Sequence, residues 1–445
     1  MRIPQLDAAT RGLEVRTTTS RRDALTPLPG ARGGTKAAAP SDVIVRSCLA
    51  PRNFLRRIGL GLFLAVSSAH AALSASVDTM TVEVFGGPLA ELSAEERARF
   101  TAGREVFVAA RGVSEGLGPV YNDDSCVACH RVPAIGGGSD RIETRFGGGA
   151  AGGSSPLDGT LLRERGIGRR GECELTGEVV PSDAGVRTGR RATPLFGLGL
   201  VDAVPDASLL QLASRQRART PTTAGRAHRV IDAVSGEERV GRFGWKARGP
   251  SLLHGAAEAS FGELGITNPF FPEESCPQAS CAPLDCDPSQ DPEDDGADTF
   301  LLADFLSLLA PPPRSIASSA TGVNVGREVF ERIGCADCHT PSMRTGWHEV
   351  AALRYRTFAP YSDFLLHDMA SLGDGLQEGD AGPREMRTAP LWGLREAEAY
   401  LHDGRASTVE EAILAHEGQG DEARRRYRDL EPADEALLLE FLRSL

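Results

Sequence analysis

The sequence predicts a mainly α fold of two tandem, similarly built domains related by internal duplication and carrying long Gly/Pro-rich loops. Three observations predict it. Landmarks recur in one order: GREVF occurs at Gly103–Phe107 and again at Gly326–Phe330, PLFGL at Pro194–Leu198 is echoed by PLWGL at Pro390–Leu394, ARGPSLL around Arg248 resembles GRASTVE around Arg405, and FLLADFLSLLAPPP at Phe300–Pro313 matches ALLLEFLRSL at the carboxyl end. Signatures recurring in a fixed order mark a repeat architecture. The two closing segments carry apolar residues at helical spacing. Finally, 50 glycines beside only 6% aromatic residues in 445 suit compact helical units with long loops better than a β-sandwich.

The first element in chain order is not part of the fold. Arg52, Arg56 and Arg57 precede an apolar run from Ile58 to Val66, followed by Ala69-His70-Ala71. That is the basic, apolar and small-residue order of a secretory signal, and the run is too short to span a bilayer. Residues 1–71 are therefore expected to be a signal peptide with an extended amino terminus, leaving a periplasmic chain with no stable membrane anchor. Its removal leaves 374 residues with a net charge of −19, against −12 for the full chain. Such a chain does not bind nucleic acid by general electrostatics, although it can steer a basic protein partner.

The first domain is expected over 85–310. Ser93 and Glu96 open its first helix as a capping-box pair. RFGGGAAGGSSPLDG is a loop inside it, and Pro311-Pro312-Pro313 closes it before the second domain, 321–445.

Nine cysteines are present, and Cys48 leaves with the signal. Four of the others form Cys126-Val127-Ala128-Cys129-His130 and Cys335-Ala336-Asp337-Cys338-His339. C-x-x-C alone fits a thiol redox pair or half of a zinc site. The histidine directly after the second cysteine in both copies points instead to c-type haem: two thioethers hold the haem edge and the adjacent imidazole reaches the iron. Two covalently bound haems are expected, with His130 and His339 as proximal ligands. Gly136-Gly137-Gly138 is expected to let backbone approach the first porphyrin closely. Cys173, Cys276, Cys281 and Cys286 read as disulfide partners of unassigned pairing. Three of them lie in an acidic, Pro-rich stretch that offers hard oxygen ligands for calcium.

Taken together, RTAPLWGL followed by YLHDGRASTVEEAI resembles the bacterial di-haem cytochrome c peroxidase and MauG-type superfamily. GLGPVYNDDSCVACHRVPAIGGG, GRFGWKA, GITNPFFP and YSDFLLHDMASLGDG are similar to its di-haem oxidoreductase branch, often labelled thiol oxidoreductases. The resemblance implies tandem cytochrome c-like domains and a peroxidase-like reaction. The thiol label conflicts with the residues, because haem occupies both C-x-x-C pairs.

A reactive haem keeps an axial position open, whereas an electron-transfer haem fills both. No methionine lies between Met80 and Met343, so the first domain offers only His228, in a polar segment that reads as surface, and His254, which reads as core. The second offers Met343, His367, Met369, Met386, His402 and His416. The family places its distal ligand at the end of the helix after the HDG motif, which here is His416. Superposing Arg248 on Arg405 puts Ala259 at the His416 position, with Glu263 four residues on. The resemblance implies that Glu263 is the catalytic carboxylate, with Arg248 orienting the pocket or stabilising negative charge, and that Trp245 is an electron path between the haems. The expected function is electron transfer from haem 2 to haem 1 with reduction of hydrogen peroxide at haem 1, the donor being a small redox protein such as a cytochrome c or cupredoxin. MauG-like oxidation of a substrate, or electron carriage without a substrate site, are the alternatives.

Overall fold

The computed structural model describes residues 85–148, 159–274, 287–315 and 320–445. The expected signal segment and Cys276, Cys281 and Cys286 fall outside these residues, as does the side chain of Cys173, and the disulfide expectation falls outside with them.

Nine helices are present among the described residues: α1 (Ala94–Val108), α2 (Leu198–Asp202), α3 (Asp206–Arg219), α4 (Leu252–Leu264), α5 (Ala297–Leu308), α6 (Ala320–Arg332), α7 (Val409–Leu414), α8 (Asp421–Arg428) and α9 (Pro432–Ser444). Between them run short strands: β1 (Val120–Tyr121), β2 (Ile142–Gly148), β3 (Thr160–Leu161), β4 (Arg165–Gly166), β5 (Gly168–Arg170), β6 (Cys173–Leu175) and β7 (Ala184–Arg191). The series continues with β8 (Arg229–Ile231), β9 (Glu238–Val240), β10 (Met343–Arg344), β11 (Thr357–Phe358), β12 (Leu366–Asp368) and β13 (Glu385–Arg387). The fold is thus mixed, not mainly α. The difference lies chiefly in the stretch between the first C-x-x-C-H and PLFGL, where β2 sits between β3 and β7 in an antiparallel sheet. Its sequence carries the period-2 alternation of a strand, with Ile142, Thr144 and Phe146 interleaved with Glu143 and Arg145.

The recurring landmarks correspond to recurring local geometry. α1 packs along α5 and α6 along α9. A methyl group added at Gly103 would strike the Leu301 carbonyl oxygen, and one at Gly326 the Leu437 carbonyl oxygen. The glycine of each GREVF is therefore where two helices cross in backbone contact. The phenylalanine of each GREVF packs near the histidine of its own C-x-x-C-H: Phe107 is 6.2 Å from the His130 ring and Phe330 is 6.4 Å from that of His339. Gly197 and Gly393 both take the left-handed conformation, at φ 71° and 74°. Ser251 caps α4 and Thr408 caps α7 through their side-chain oxygens, and the capping box at Ser93 is formed.

The two expected domains do not keep separate interiors. The larger core gathers Phe107, Phe196, Val201, Leu209 and Phe305 from the first half, and also Met343, Leu353, Phe358 and Phe364 from the second. A smaller core holds Phe330, Tyr361, Tyr427, Leu438 and Phe441. Charges close the seam: buried Arg190 of β7 pairs with Asp374 and with Glu378 at 2.6 Å, and fully buried Lys246 pairs with Asp374 at 3.0 Å. No helix among the described residues is long and apolar enough to cross a membrane.

Candidate haem centres

Each C-x-x-C-H motif begins as a 3-10 turn, Cys126–Ala128 and Cys335–Asp337. The His130 N–H donates to the Cys126 carbonyl at 3.0 Å, and the His339 N–H to that of Cys335 at 2.9 Å. One turn thus carries both cysteines and the imidazole. His130 Nδ1 meets the Gly137 carbonyl at 3.0 Å and His339 Nδ1 that of Tyr361 at 2.9 Å. With Nδ1 committed, Nε2 is left to ligate. Burial holds the His130 imidazole below the usual range and draws His339 down to about 4, with His416 adding to the effect. Both are neutral near pH 7, the form that binds metal. None of the four cysteines is in a disulfide. Burial pushes the Cys126 and Cys335 thiols up to about 12 and Cys129 to about 11, which suppresses the thiolate that thiol redox chemistry needs.

The glycine run after His130 serves its own loop. A methyl at Gly137 would strike the Val132 carbonyl, and Gly136, at φ 87°, rests against Leu309. At Gly137 the close approach is of backbone to backbone, while Gly138 lines the cavity described below.

The second centre opens on a cavity of about 780 Å³ lined by Cys335, Cys338, His339 and His416. His416 follows α7, and its Nδ1 meets the Ala412 carbonyl at 2.8 Å. The His339 and His416 rings face each other with centroids 6.4 Å apart. Two metal–imidazole bonds of about 2 Å each, plus the two ring radii, account for about that separation. Two further groups on the cavity wall lack counterparts. Arg387 is buried and forms no ion pair among the described residues, donating only to the carbonyls of Gly244 and Thr388. Buried His402 has an Nε2 with no hydrogen-bond partner among the described residues, the nearest carboxylate being that of Asp403 at 4.0 Å. A cation and an orphaned ring nitrogen suit the carboxylates of a haem, so the residues fit the group.

The other candidate ligands divide. His367 has both nitrogens engaged, Nε2 with Asp363 at 2.9 Å and Nδ1 with Cys338 Sγ at 3.5 Å. Burial pulls its pKa down, but the Asp363 carboxylate lifts it well above the usual value. Gln216 of α3 donates to Asp363 at 2.8 Å and to the Asp337 carbonyl at 2.9 Å, so a helix of the first half grips the second motif. Met343 packs in the larger core, whereas Met369 and Met386 line the cavity.

At the first centre, Glu263 sits on the last turn of α4. Asn122 Nδ2 donates to its Oε2 at 2.9 Å, and the Asn122 N–H to its carbonyl at 2.7 Å. Burial, then the nearby Glu143 carboxylate, push the Glu263 carboxyl up to about 8 against the pull of Arg145, Asn122 and Arg141. Its charge also acts on Cys129 and Cys126, the cysteines of the first C-x-x-C-H turn. Arg248 departs from expectation: it is half-exposed and paired with Glu258 at 2.6 Å, because its position before α4 directs it along the outside of that helix. His228 departs too. It is 2% exposed, with Nδ1 on the Lys246 carbonyl at 2.9 Å; its polar neighbours hid its place under the seam. His254 is buried as expected, accepting from the Ala233 N–H at 3.0 Å. Trp245 donates Nε1–H to the Arg191 carbonyl at 2.7 Å and meets His402 edge to face at 6.2 Å, joining the two halves at the cavity wall. The sequence reading missed Asn122, Glu143 and Arg145; the four-residue spacing from Asn122 to Cys126 was the one signal available for them. Near the acidic stretch, carboxylate oxygens of Glu274, Asp287 and Glu293 lie within 4.8 Å of one another.

Two Cys-x-x-Cys-His turns, one facing a second imidazole and the other flanked by a buried carboxylate, define a two-haem protein. The chain belongs to the di-haem oxidoreductase family: the family described as "Di-haem oxidoreductase, putative peroxidase" matches residues 172–445. Membership implies two haems and an oxidoreductase. Among solved structures, hydrazine synthase of Kuenenia stuttgartiensis is similar at 15% identity and TM-score 0.38, covering 89% of this chain and 100% of that one. A MauG-like protein associated with microbial copper homeostasis gives 14% and 0.37, covering 82% and 93%. The diheme peroxidase BthA of Burkholderia thailandensis gives 16% and 0.36, covering 78% and 86%. No curated protein matches.

Proposed function

We propose that this di-haem oxidoreductase is a periplasmic peroxidase whose reactive centre lies at His130. One observation carries the reading: Glu263, a carboxyl whose proton is held up to about 8, stands beside the first haem turn, where the repeat-equivalent of His416 is Ala259. Cys126, Cys129 and His130 would hold one haem and Cys335, Cys338, His339 and His416 the other, and the two would supply the redox chemistry, with the second centre as the electron source for the first.

The chain's own residues supply the rest. Glu263 takes a proton from one peroxide oxygen and returns it to the other, as O–O cleavage to water requires. Asn122 fixes the carboxylate's orientation through its 2.9 Å hydrogen bond. Trp245, at the seam, is the aromatic stepping point between the centres. Repeat-equivalent packing of the two GREVF segments supports descent of the halves from one cytochrome c-like unit. The donor is a small redox protein, such as a cytochrome c or cupredoxin. The Glu274–Asp287–Glu293 group suits a calcium ion, a hard cation that takes carboxylate oxygens.

The test is stopped-flow mixing of the purified two-haem protein with hydrogen peroxide, read in the Soret region. A rapid, stoichiometric change is expected. No change over minutes would leave an electron carrier as the reading. A change that persists until an oxidisable substrate is added would favour the MauG-like alternative.

A further inference from the structure

The charged face of the small sheet points to a further residue of the peroxide site, an inference that rests on the reading of Glu263 as the proton-handling group. Glu143 and Arg145 are two apart on β2 and therefore share a face. Their side chains pair at 3.6 Å, and the Glu143 side chain is 14% exposed. The sheet lies on the end of α4: a methyl placed at Gly262, next to Glu263, would rest 3.9 Å from Leu161, and Leu161 is the cross-strand partner of Arg145. The β7 residue opposite Glu143 is Arg190, but its guanidinium is taken by Asp374 and Glu378. Arg145 is thus the cation left for Glu143. Arg145 also donates to the Gly159 carbonyl at 3.2 Å, while its buried Nε has no hydrogen-bond partner among the described residues.

We propose that Glu143 is a positioning residue for the peroxide chemistry: paired with Arg145 on the sheet face that lies on the end of α4, its carboxylate governs when Glu263 gives up its proton. The other charged groups facing Glu263 are committed elsewhere. Arg141, just before β2, pairs with Asp123 at 2.6 Å and with Glu164 at 3.6 Å. On α4 itself, Glu258 is taken by Arg248. Asn122, beside β1, is neutral. A like charge favours the protonated acid and a cation the ionised one, so the Glu143–Arg145 pair sets two opposed influences on Glu263 from a single strand.

The experiment is pH-difference infrared spectroscopy of the holoprotein, the carboxylic acid band of Glu263 being assigned by its loss in Glu263→Gln. Glu143→Gln should lower the titration midpoint of that band by about one unit, a tenfold change in the proton equilibrium. Arg145→Met should raise it. Haem content and the spectrum of the His339 centre should stay unchanged in both. Shifts of opposite sign are what charge control produces. Unmoved midpoints, or shifts of the same sign from a loosened strand, would overturn the inference while leaving peroxide reactivity intact. Absence of any band lost in Glu263→Gln would instead remove the proton-handling role of Glu263 and, with it, the basis of both readings.

Discussion

His339 and His416, 77 residues apart in sequence, turn their rings toward each other at 6.4 Å, each with Nδ1 bound to a main-chain carbonyl. The carbonyls fix the orientation of both rings. His416→Ala removes the imidazole proposed as the second ligand of this centre and nothing of the turn that carries the cysteines. The expected outcome is a two-haem protein in which one low-spin EPR signal is replaced by a high-spin one. An unchanged low-spin spectrum would pass the ligand role to Met369, which lines the same cavity.

Glu263→Gln keeps the size of the side chain and loses the base. The rate of the peroxide-dependent spectral change should fall by roughly 10²–10⁴-fold, the usual worth of general acid–base catalysis. In the parent the base is the ionised carboxylate, so the rate should rise with pH toward about 8 and then level off. The variant should show no such rise. A carboxyl raised from its ordinary value also favours the folded state most below pH 4.5, and that contribution disappears as pH rises through about 8. Denaturation midpoints of parent and variant should therefore separate across this range.

Asp363→Asn breaks a buried ion pair with His367. Removing one partner of such a pair costs about 3–5 kcal/mol. The sign follows from both partners. Burial pushes Asp363 up, but His367 holds it below the ordinary carboxylate value, so its contribution is lost in acid as pH falls through that lowered pKa. His367 lies well above 6.5, so its contribution is whole below 6.5 and fades at higher pH. Urea denaturation should show the largest loss near pH 5–6 and a smaller one near pH 9. Equal losses at both would mean that the pair is neutral.

Gly326→Ala forces a methyl against the Leu437 carbonyl oxygen and Phe441. Backbone cannot rotate away as a side chain can. Overpacking of this kind costs about 1–3 kcal/mol, more than the helix gains from replacing glycine by alanine, about 1 kcal/mol at most. Gly103→Ala should do the same through Leu301 and Phe305. A neutral or stabilising result in thermal melts would show that the crossing helices can slide apart.

Much of this was legible in the sequence, for a physical reason: GREVF, PLFGL and C-x-x-C-H are local patterns whose chemistry is complete within a few residues. Ser93 and Glu96 announced a cap and form one. What could not be read are pairings across distance. The alternation of β2 is visible in hindsight, but its partner β7 lies some forty residues on, beyond a Gly-rich loop. Arg248 was placed by superposing repeats, which carry over chain position but not the direction of a side chain; Glu258, with no acidic counterpart needed in the pattern, turned it outward. His228 sits among polar residues that face the seam, so local polarity misreported its burial. Asn122 meets Glu263, and the Glu143 carboxylate acts on it, only because three separate segments converge.

The larger core has a consequence for how the protein comes into being. Phe107 and Phe305 share one core with Met343, Leu353 and Phe364. A growing chain that has finished α5 has every helix of its first half and still lacks part of the filling. Until residues up to 364 arrive, that interior faces water, and contacts so distant in sequence form slowly. The first histidine-bearing turn is therefore complete in sequence long before its surroundings are complete in space.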